Sequence, residues 1–499
     1  MPVAERLMPR HLGFALYWAW TLLCFQSTVA FLPGPSLSGM LATHTEFFTC
    51  SLVATVLAHP LWAFVLRLAP GLCSRAPWVV AVLQSLSVLA VNVNPIVGAG
   101  PAVLGLLGVV SGVTSALLDV RWSQTYGSLR PDLSGRAITL SIAVAIGGYL
   151  ALSSLGRLSP AVCLAVVAAL PPLSAWLLHL CARRGEGLLD AAQFVRLRHD
   201  ARQVAGTLWR TVVGSLIFFF VYGCVEGLVT ARVDFNAVHG VSQGCELVVM
   251  LVMATALRFR RRIDAGRLYT VTLVLVSAGF LALPLVMGVD GDSGSAAPLD
   301  AGIFAASVLV NVGTLVMNVL LFCMIAHAAF DYRTSGGVLN GIVCGLTVGA
   351  SAAGHVAGNV LADEMWTGGV DLIVFVLVVT YLIILSGSFL LGLGRRRTRA
   401  DAEDVRVFAP VPTSVDREDS HVAAEQTIDR RIEEVVLAHH LSRREGDVFA
   451  LIARGRSVPY IAETLVISEN TVRSHTRRIY DKLGVHSKQE LLDLVEHAK

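Results

Sequence analysis

Long apolar runs, separated by short polar connections, occupy the first four fifths of the chain. Each run has about 20 residues, the length that an α-helix needs to cross the hydrocarbon core of a bilayer. The first run follows Arg6 and Arg10, and the apolar region of a signal peptide also follows positive residues. Its length and the many runs after it favour a membrane span instead. We predict twelve spans, at residues 12–32, 46–68, 76–95, 98–120, 137–156, 159–181, 208–230, 236–257, 268–288, 300–326, 336–360 and 368–393.

The pattern changes near the C-terminus, where short amphipathic segments replace the long runs. After Ser468, a candidate helix cap, the residues Val472, Ile479 and Leu483 share one side of a helix, and polar and basic residues share the other. Two short helices joined by a tight turn, the second rich in arginine, predict a helix-turn-helix whose second helix enters the major groove of DNA. A structural four-helix bundle with a solvated basic face is the alternative.

The segment 441–496 also carries a specific set of residues. They are Leu441, Arg444-Glu445, Val448, Gly455, Ile461-Ala462, Leu465, Ile467-Ser468, Thr471-Val472, His475, Ile479, Lys482-Leu483-Gly484-Val485 and Glu490-Leu491. In these residues the segment resembles the LuxR-type helix-turn-helix domain, although Gly446 stands where that family often has a larger polar residue. The resemblance implies a domain that binds promoter DNA and pairs through its fourth helix. The DNA contacts that it implies, with the neighbouring basic residue included, are Thr471, Arg473, Ser474, Arg477, Arg478 and Lys482.

Composition agrees with a chain that lies largely in a membrane. Hydrophobic residues make up 55% and charged residues 15%, and the mean hydropathy is +0.66. The nine cysteines show neither a CxxC pair nor a His/Cys metal spacing, so we expect no metal site. The chain also has no glycine-rich nucleotide loop and no nucleophile elbow. We therefore expect no cofactor and no enzymatic activity.

Arginine placement predicts the orientation of the spans. Up to residue 399, 23 arginines fall in connections or ends on one side of the predicted topology and two, Arg157 and Arg232, on the other. Positive charge is retained on the cytoplasmic side of a membrane. We therefore expect a multi-pass protein of the inner (cytoplasmic) membrane with both termini in the cytoplasm, where DNA is available.

The longest internal connection, 182–207, divides the spans into six and six. We expect it to form an amphipathic helix on the inner surface. Cys24-Phe25-Gln26 in the first half corresponds to Cys224-Val225-Glu226 in the second, and glycines recur in spans five and eleven. This arrangement of two six-helix repeats resembles the major facilitator superfamily, although the usual motif between spans two and three is absent. The predicted fold class is all-α: a twelve-span bundle followed by a four-helix DNA-binding domain.

Polar residues at membrane depth are costly and are therefore candidates for function. We predict ligand contacts at Gln26, Glu226, Glu246 and Asn311, with Gly223 and Gly227 leaving space around Glu226. Hydrogen bonding between helices is the alternative role for such residues. We expect Trp122 and Tyr126, near the inner end of span four, to anchor that span at the lipid interface.

The predicted domains are a membrane domain (1–399), a cytoplasmic linker (400–433) and the DNA-binding domain (434–499). The linker is rich in Asp, Glu, Pro and Ser, which argues against a packed core. We interpret the chain as a membrane-bound one-component transcription regulator. Its expected partners are promoter DNA, RNA polymerase, a small-molecule inducer, the lipid bilayer and a second copy of the chain. The alternatives are a transporter with a regulatory DNA-binding tail, and a membrane anchor controlled by proteolysis.

Overall fold

The computed structural model describes residues 6–25, 27, 37–97, 100–188, 191–230, 235–258, 276–277, 297–366, 372–391, 435–436, 438–439, 441–453, 461–462, 465, 468–485 and 490–491. The chain divides into a membrane unit, Met1–Pro410, and a C-terminal unit, Val411–Lys499, and each is described by itself. Within the described ranges every regular element is helical, which confirms the all-α fold class for this part of the chain.

The membrane unit opens with a 3₁₀ turn, Pro9–Leu12. Its described helices are α1 (Gly13–Phe25), α2 (Leu37–Leu68), α3 (Pro70–Val97), α4 (Pro101–Gly127), α5 (Pro131–Leu158), α6 (Pro160–Arg183), α7 (Ala191–Thr230), α8 (Phe235–Arg258), α9 (Ala297–Asp331), α10 (Gly336–Trp366) and α11 (Leu372–Leu391). Among the described residues, nine helices contain a segment long and apolar enough to cross a membrane. Helices α3 to α6 each begin at a proline, whose missing N–H costs nothing in the first turn. Most of predicted span nine, 268–288, lies outside the described residues.

The connection between the two halves differs from the sequence-based prediction. A short turn at 184–187 replaces the beginning of the expected surface helix, and from Ala191 onward the connection is the first part of α7. Helix α7 continues for 40 residues, Ala191–Thr230, and contains no proline. The expected surface helix and span seven are therefore one helix.

Glycines allow α7 and α10 to pack backbone against backbone. A Cβ atom on Gly223 would collide with the backbone of Ser351 in α10, and a Cβ atom on Gly354 would collide with the carbonyl oxygen of Phe220 in α7. A Cβ atom on Gly227 would likewise collide with the α10 backbone, and a Cβ atom on Gly358 would collide with the α7 backbone. The expectation that Gly223 and Gly227 leave space around Glu226 was wrong, because the α10 backbone fills that space.

Helix α10 also joins the two halves of the membrane unit. Near its beginning, Gly341 lies against the backbone of His59 in α2, so α10 contacts α2 and α4 as well as α7. Helices α5 and α8 form a second contact between the halves. A polar side chain on α2, α4 or α10 can therefore reach across from one half to the other.

The C-terminal unit contains α12 (Arg443–Ala453) and α13 (Glu469–Leu483) among its described residues. Its core is formed by apolar side chains of both helices and of the residues around them, including Val448, Phe449, Val472, Ile479 and Leu491. The expected apolar side of the arginine-rich helix is confirmed, since Val472, Ile479 and Leu483 are all buried. Gly455, one of the residues in which the segment resembles the LuxR-type domain, lies outside the described residues.

Candidate functional site

Helix α13 begins and ends at residues that are suited to helix ends. Ser468 Oγ accepts a hydrogen bond of 3.1 Å from the backbone N–H of Thr471, a group that the first turn leaves without a helical partner. Gly484 follows the last turn with φ of 68°, in the left-handed region where glycine is unstrained. These local interactions determine which side chains α13 presents to solvent.

The exposed side of α13 contains the residues for which DNA contacts were predicted. Exposed positions on it are Thr471, Arg473, Ser474, Arg477, Arg478 and Lys482. Arg473 and Arg477 lie one helical turn apart. Arg473 also forms an exposed ion pair with Glu469, at 3.4 Å, and such a pair is weak enough to be exchanged for a base or a phosphate. The helix thus presents a basic face opposite its buried apolar side.

Lys482 has an additional partner inside the C-terminal unit. Its Nζ lies 2.7 Å from Oε2 of the buried Glu445 in α12. The same oxygen accepts a hydrogen bond from the backbone N–H of Ser442, whose Oγ accepts one from the N–H of Glu445. The hydrogen bond from Lys482, followed by that from Ser442, lowers the pKa of Glu445 from 4.5 to about 2. One carboxylate therefore caps α12 and ties it to α13.

The membrane unit encloses a central cavity of about 310 Å³. Its wall includes residues of α1, α2, α4, α7, α8, α9 and α10, and so involves both halves of the unit. Polar side chains on the wall are Tyr17, Thr21, Ser51, Thr55, His59, Ser115, Asp119, Tyr222, Gln243, Glu246, Asn311, Thr314, Asn318, Thr347 and Ser351. The volume and the mixture of apolar and polar groups match those of a small-molecule site.

Two of the four predicted ligand contacts lie on this wall. Glu246 and Asn311 line the cavity, and Asn311 Nδ2 donates a hydrogen bond of 3.0 Å to the Ser307 carbonyl. Glu226 is absent from the cavity wall and instead lies 3.9 Å from Nε2 of His239, as measured from its Oε2. Gln26 lies outside the described residues, so its role as a ligand contact stays a prediction.

A second buried charged group on the wall, His59 with Asp119, was missed in the sequence analysis. His59 Nε2 lies 3.2 Å from Asp119 Oδ2, and Asn340 Nδ2 donates to the same oxygen at 2.8 Å. His59 Nδ1 lies 2.9 Å from the Thr55 carbonyl oxygen, which can only accept, so Nδ1 carries a proton. These contacts connect α2, α4 and α10. Ionisable residues inside predicted spans 46–68 and 98–120 were the signal that would have identified them.

At the end of the bundle that carries the 184–187 turn, Glu186 is buried beneath the helices. The Arg10 guanidinium binds both of its oxygens, at 2.7 and 3.1 Å, and His11 Nε2 lies 3.1 Å from Oε2. Burial raises the pKa of Glu186, but the hydrogen bonds from His11 and Arg10 outweigh this effect, and the pKa falls from 4.5 to about 2. The turn is thereby fixed to the beginning of the chain.

His11, Cys181 and Glu186 lie close enough together to hold a metal ion, with their candidate ligand atoms within 4.8 Å of one another. However, His11 Nδ1 accepts a hydrogen bond from the backbone N–H of Met8, so a neutral ring carries its proton on Nε2. That proton is directed at Glu186, and Arg10 occupies the carboxylate. The hydrogen bonds therefore favour a structural role for this cluster over a role as a metal centre.

Trp122 and Tyr126 belong to the same end of the bundle and are fully buried. Trp122 Nε1 donates a hydrogen bond to Ser174 Oγ at 3.0 Å, and Tyr126 Oη donates one to the His11 carbonyl at 2.8 Å. Their expected role as anchors at the lipid interface was wrong. Both rings pack against Phe14 and fill the interior.

Comparison with known proteins identifies the C-terminal region. Residues 439–495 match the family of bacterial regulatory proteins described as the luxR family. The chain is 45% identical over 58 residues to the fimbriae Z protein of Salmonella typhimurium, covering 11% of this chain and 28% of that protein. It is 49% identical over 45 residues to the probable transcriptional regulatory protein NarL of Mycobacterium tuberculosis, covering 9% and 21%. The chain thus spans about a quarter of the length of these relatives, and its C-terminal region is a LuxR-type DNA-binding domain.

Solved structures match over most of the chain. A bacterial homologue of the iron transporter ferroportin, in an outward-facing state with soaked iron, matches with a TM-score of 0.52 and 14% identity, covering 77% of this chain and 98% of that one. The major facilitator proton:xylose symporter XylE matches with a TM-score of 0.47 and 12% identity, covering 79% and 98%. The first of these matches shows that the membrane unit has a transporter-like fold, and at this identity the likeness shows the fold alone.

Proposed function

We propose that the chain is a membrane-bound one-component transcription regulator. In this proposal, the C-terminal unit binds promoter DNA through α13, and the membrane unit senses a small molecule in its central cavity. The observation that carries the proposal is the exposed basic face of α13, in a region matching the luxR family, on the same chain as a multi-pass membrane unit.

The DNA-binding part of the proposal extends to its partners. Thr471, Arg473, Ser474, Arg477 and Arg478 would contact bases and phosphates. Lys482 would contact a phosphate in addition to its bond with Glu445. Dimerisation through the C-terminal unit and contact with RNA polymerase remain parts of the proposal, supported by the resemblance to LuxR-type regulators.

The sensing part rests on the position of the cavity between the two halves. A ligand that contacts both halves favours the arrangement in which its contacts are complete. A coupling of about 1–3 kcal/mol is enough to change promoter occupancy several-fold. We propose Glu246 and Asn311 as ligand contacts, because both line the cavity.

The experiment that tests DNA binding uses the full chain in cells. After cross-linking, DNA bound to the wild-type chain should be enriched in discrete promoter regions, and the R473A/R477A double variant should lose that enrichment. Both proteins must reach the membrane in equal amounts. An identical map for the two proteins, or no enrichment with the wild type, would overturn the proposal.

The proposed orientation has its own test. The cytoplasmic location of both termini is supported by the distribution of 23 arginines against two. A reporter that is active only in the cytoplasm should be active when it is fused after Arg399, at the end of the membrane domain. Activity of a reporter that works only on the opposite, outer side of the membrane would contradict this topology.

A transporter with a regulatory DNA-binding tail is the second candidate. It is favoured by the transporter-like fold and by the His59–Asp119 pair on the cavity wall. Vesicles containing the chain should then accumulate an inducer above the level in vesicles without it. A regulator that only senses would change promoter occupancy without such accumulation.

A further inference from the structure

We propose that the central cavity binds a small organic cation with an aromatic or apolar body, and that Glu246 supplies the opposite charge. The inference rests on the proposed function in taking the cavity as the ligand site, and it adds the chemical class of the ligand. Glu246 on α8 and the ring-lined wall of α1, α7 and α9 are the features that recognise such a ligand.

Glu246 has no lysine or arginine beside it among the described residues of the cavity wall. Only 4% of the residue is exposed, and its hydrogen-bond partner is the neutral amide of Gln243. Among the described residues of the cavity wall there is no lysine and no arginine. A buried carboxylate without a positive partner is costly to ionise, so a cationic ligand would stabilise the ionised form of Glu246.

Asp119, the other carboxylate on the wall, is already engaged. Its Oδ2 contacts both His59 Nε2 and Asn340 Nδ2. A ligand cation at Asp119 would have to compete with these contacts, which join α2, α4 and α10. Glu246 accepts a hydrogen bond from the Gln243 amide and forms no ion pair with a described residue of the wall, and so the two carboxylates differ in their partners.

Aromatic rings surround the space that such a ligand would occupy. The rings on the wall belong to Tyr17, Trp18, Phe25, Phe48, Phe219, Tyr222 and Phe322. Trp18 and Phe322 lie 6.3 Å apart between ring centres, at an interplanar angle of 74°. Rings attract a cation through their faces and an apolar body through contact area. Aromatic lining together with a carboxylate therefore selects a positive charge on an apolar body.

Ser51 provides an independent sign that the cavity accepts a polar ligand group. The residue lies on the cavity wall and is 1% exposed, and its Oγ has no hydrogen-bond partner among the described residues. Buried hydroxyl groups are nearly always hydrogen-bonded. A polar group of the ligand would satisfy this oxygen at the side of the cavity formed by α2.

Three probes that share a naphthalene ring and differ in the charge of its substituent test the proposal. The full chain in lipid nanodiscs is titrated at neutral pH with (2-naphthylmethyl)ammonium, 2-naphthalenemethanol and 2-naphthoate, and binding is followed by thermophoresis. The ammonium probe should bind about tenfold more tightly than the alcohol, and the carboxylate probe should bind weakest. Equal affinities, or no binding of any probe, would overturn the proposed ligand class.

Glu246→Gln and Glu226→Gln form a matched pair of variants. E246Q should bind the ammonium and alcohol probes within about twofold of each other, with the alcohol affinity unchanged as evidence of an intact cavity. E226Q should keep the preference, because Glu226 is absent from the wall. If E226Q alone lost the preference for the ammonium probe, Glu226 would be the residue that binds the cation, and our assignment of Glu246 would be overturned.

Operator binding by the same nanodisc preparation separates this inference from the proposed function. Preferential, Glu246-dependent binding of the ammonium probe supports the ligand class even if operator affinity does not respond to it. In that case sensing fails and the ligand class stands. If the probes bind without selectivity while operator binding is intact, the ligand class fails and the proposed DNA-binding function stands.

Discussion

Glu445 in the C-terminal unit and Glu246 in the membrane unit are both almost completely buried, but their partners differ. Glu445 binds Lys482 and the backbone of Ser442, so its charge is satisfied within the unit. Glu246 has a neutral amide beside it and a cavity in front of it. A carboxylate that is paired inside its own unit links elements of the fold, whereas a buried carboxylate without a cationic partner among the described residues is a candidate for binding a ligand.

The two units also differ in how their helices are joined. Helices α12 and α13 are tied by a side-chain ion pair, whereas α7 and α10 meet through glycines and backbone. Side-chain contacts tolerate adjustment, but backbone contacts do not. Substitutions in the two units should therefore have effects of different size.

The largest expected effect comes from Gly354→Ala. The added Cβ would collide with the Phe220 carbonyl oxygen, and neither backbone can move without separating α7 from α10. We expect a loss of roughly 3 kcal/mol in the stability of the membrane unit. Thermal unfolding of the purified full chain, followed by tryptophan fluorescence, measures it. Gly240→Ala, where a Cβ meets nothing within 4 Å, is the control, and an equal loss there would refute the backbone-contact explanation.

The next effect concerns DNA affinity. Arg473→Ala and Arg477→Ala should each weaken operator binding by about 1–3 kcal/mol, because α13 presents both to the groove. Fluorescence anisotropy at one fixed salt concentration provides the measurement. Arg444→Ala on α12, where Arg444 lies 3.8 Å from Asp447, should change affinity much less. Equal losses in all three variants would mean that the basic face is assigned wrongly.

Two substitutions of Glu445 separate the contribution of its ion pair with Lys482 from that of the α12 helix cap. Glu445→Ala removes both and should destabilise the C-terminal unit by roughly 2 kcal/mol. Glu445→Gln keeps an oxygen for the Ser442 N–H and should lose only about half as much. Chemical denaturation of the full chain, monitored through loss of operator binding, compares the two. Wild-type stability in both variants would contradict the role of Glu445 as a link between α12 and α13.

Acidification should weaken the C-terminal unit through the same carboxylate. The pKa of Glu445 is lowered in the folded state, from 4.5 to about 2. Its stabilising contribution is therefore complete above about pH 4.5 and is lost as the pH falls towards 2. Denaturation midpoints measured across this window should decline in the wild type and less steeply in E445Q. Parallel declines would assign the pH dependence to other groups.

Gly446→Ala should produce the smallest effect, and one of opposite sign. Gly446 lies inside α12, and an added Cβ would lie 3.6 Å from Val436, an ordinary contact distance. Alanine should stabilise the C-terminal unit by about 0.5–1 kcal/mol, because glycine loses more backbone freedom on folding. An unchanged or lower denaturation midpoint would show that α12 needs glycine here for another reason.

Sequence alone predicted the features that depend on neighbouring residues. The Ser468 cap and the buried side of α13 both follow from side chains within a few positions of one another. The same holds for the basic face of α13, because a helix places residues three and four positions apart on one side. These signals predicted the helix-turn-helix region and its candidate DNA contacts.

Tertiary structure decided which buried groups meet. The His59–Asp119 and Asp119–Asn340 contacts join residues 60 and 221 positions apart, and no local pattern specifies them. It also decided that Trp122 and Tyr126 are buried, that α10 fills the space beside Gly223, and that Glu246 lines the cavity where Glu226 does not. In a membrane helix the sides that face lipid and the sides that face other helices are both apolar, so hydropathy predicts the span but not its neighbours.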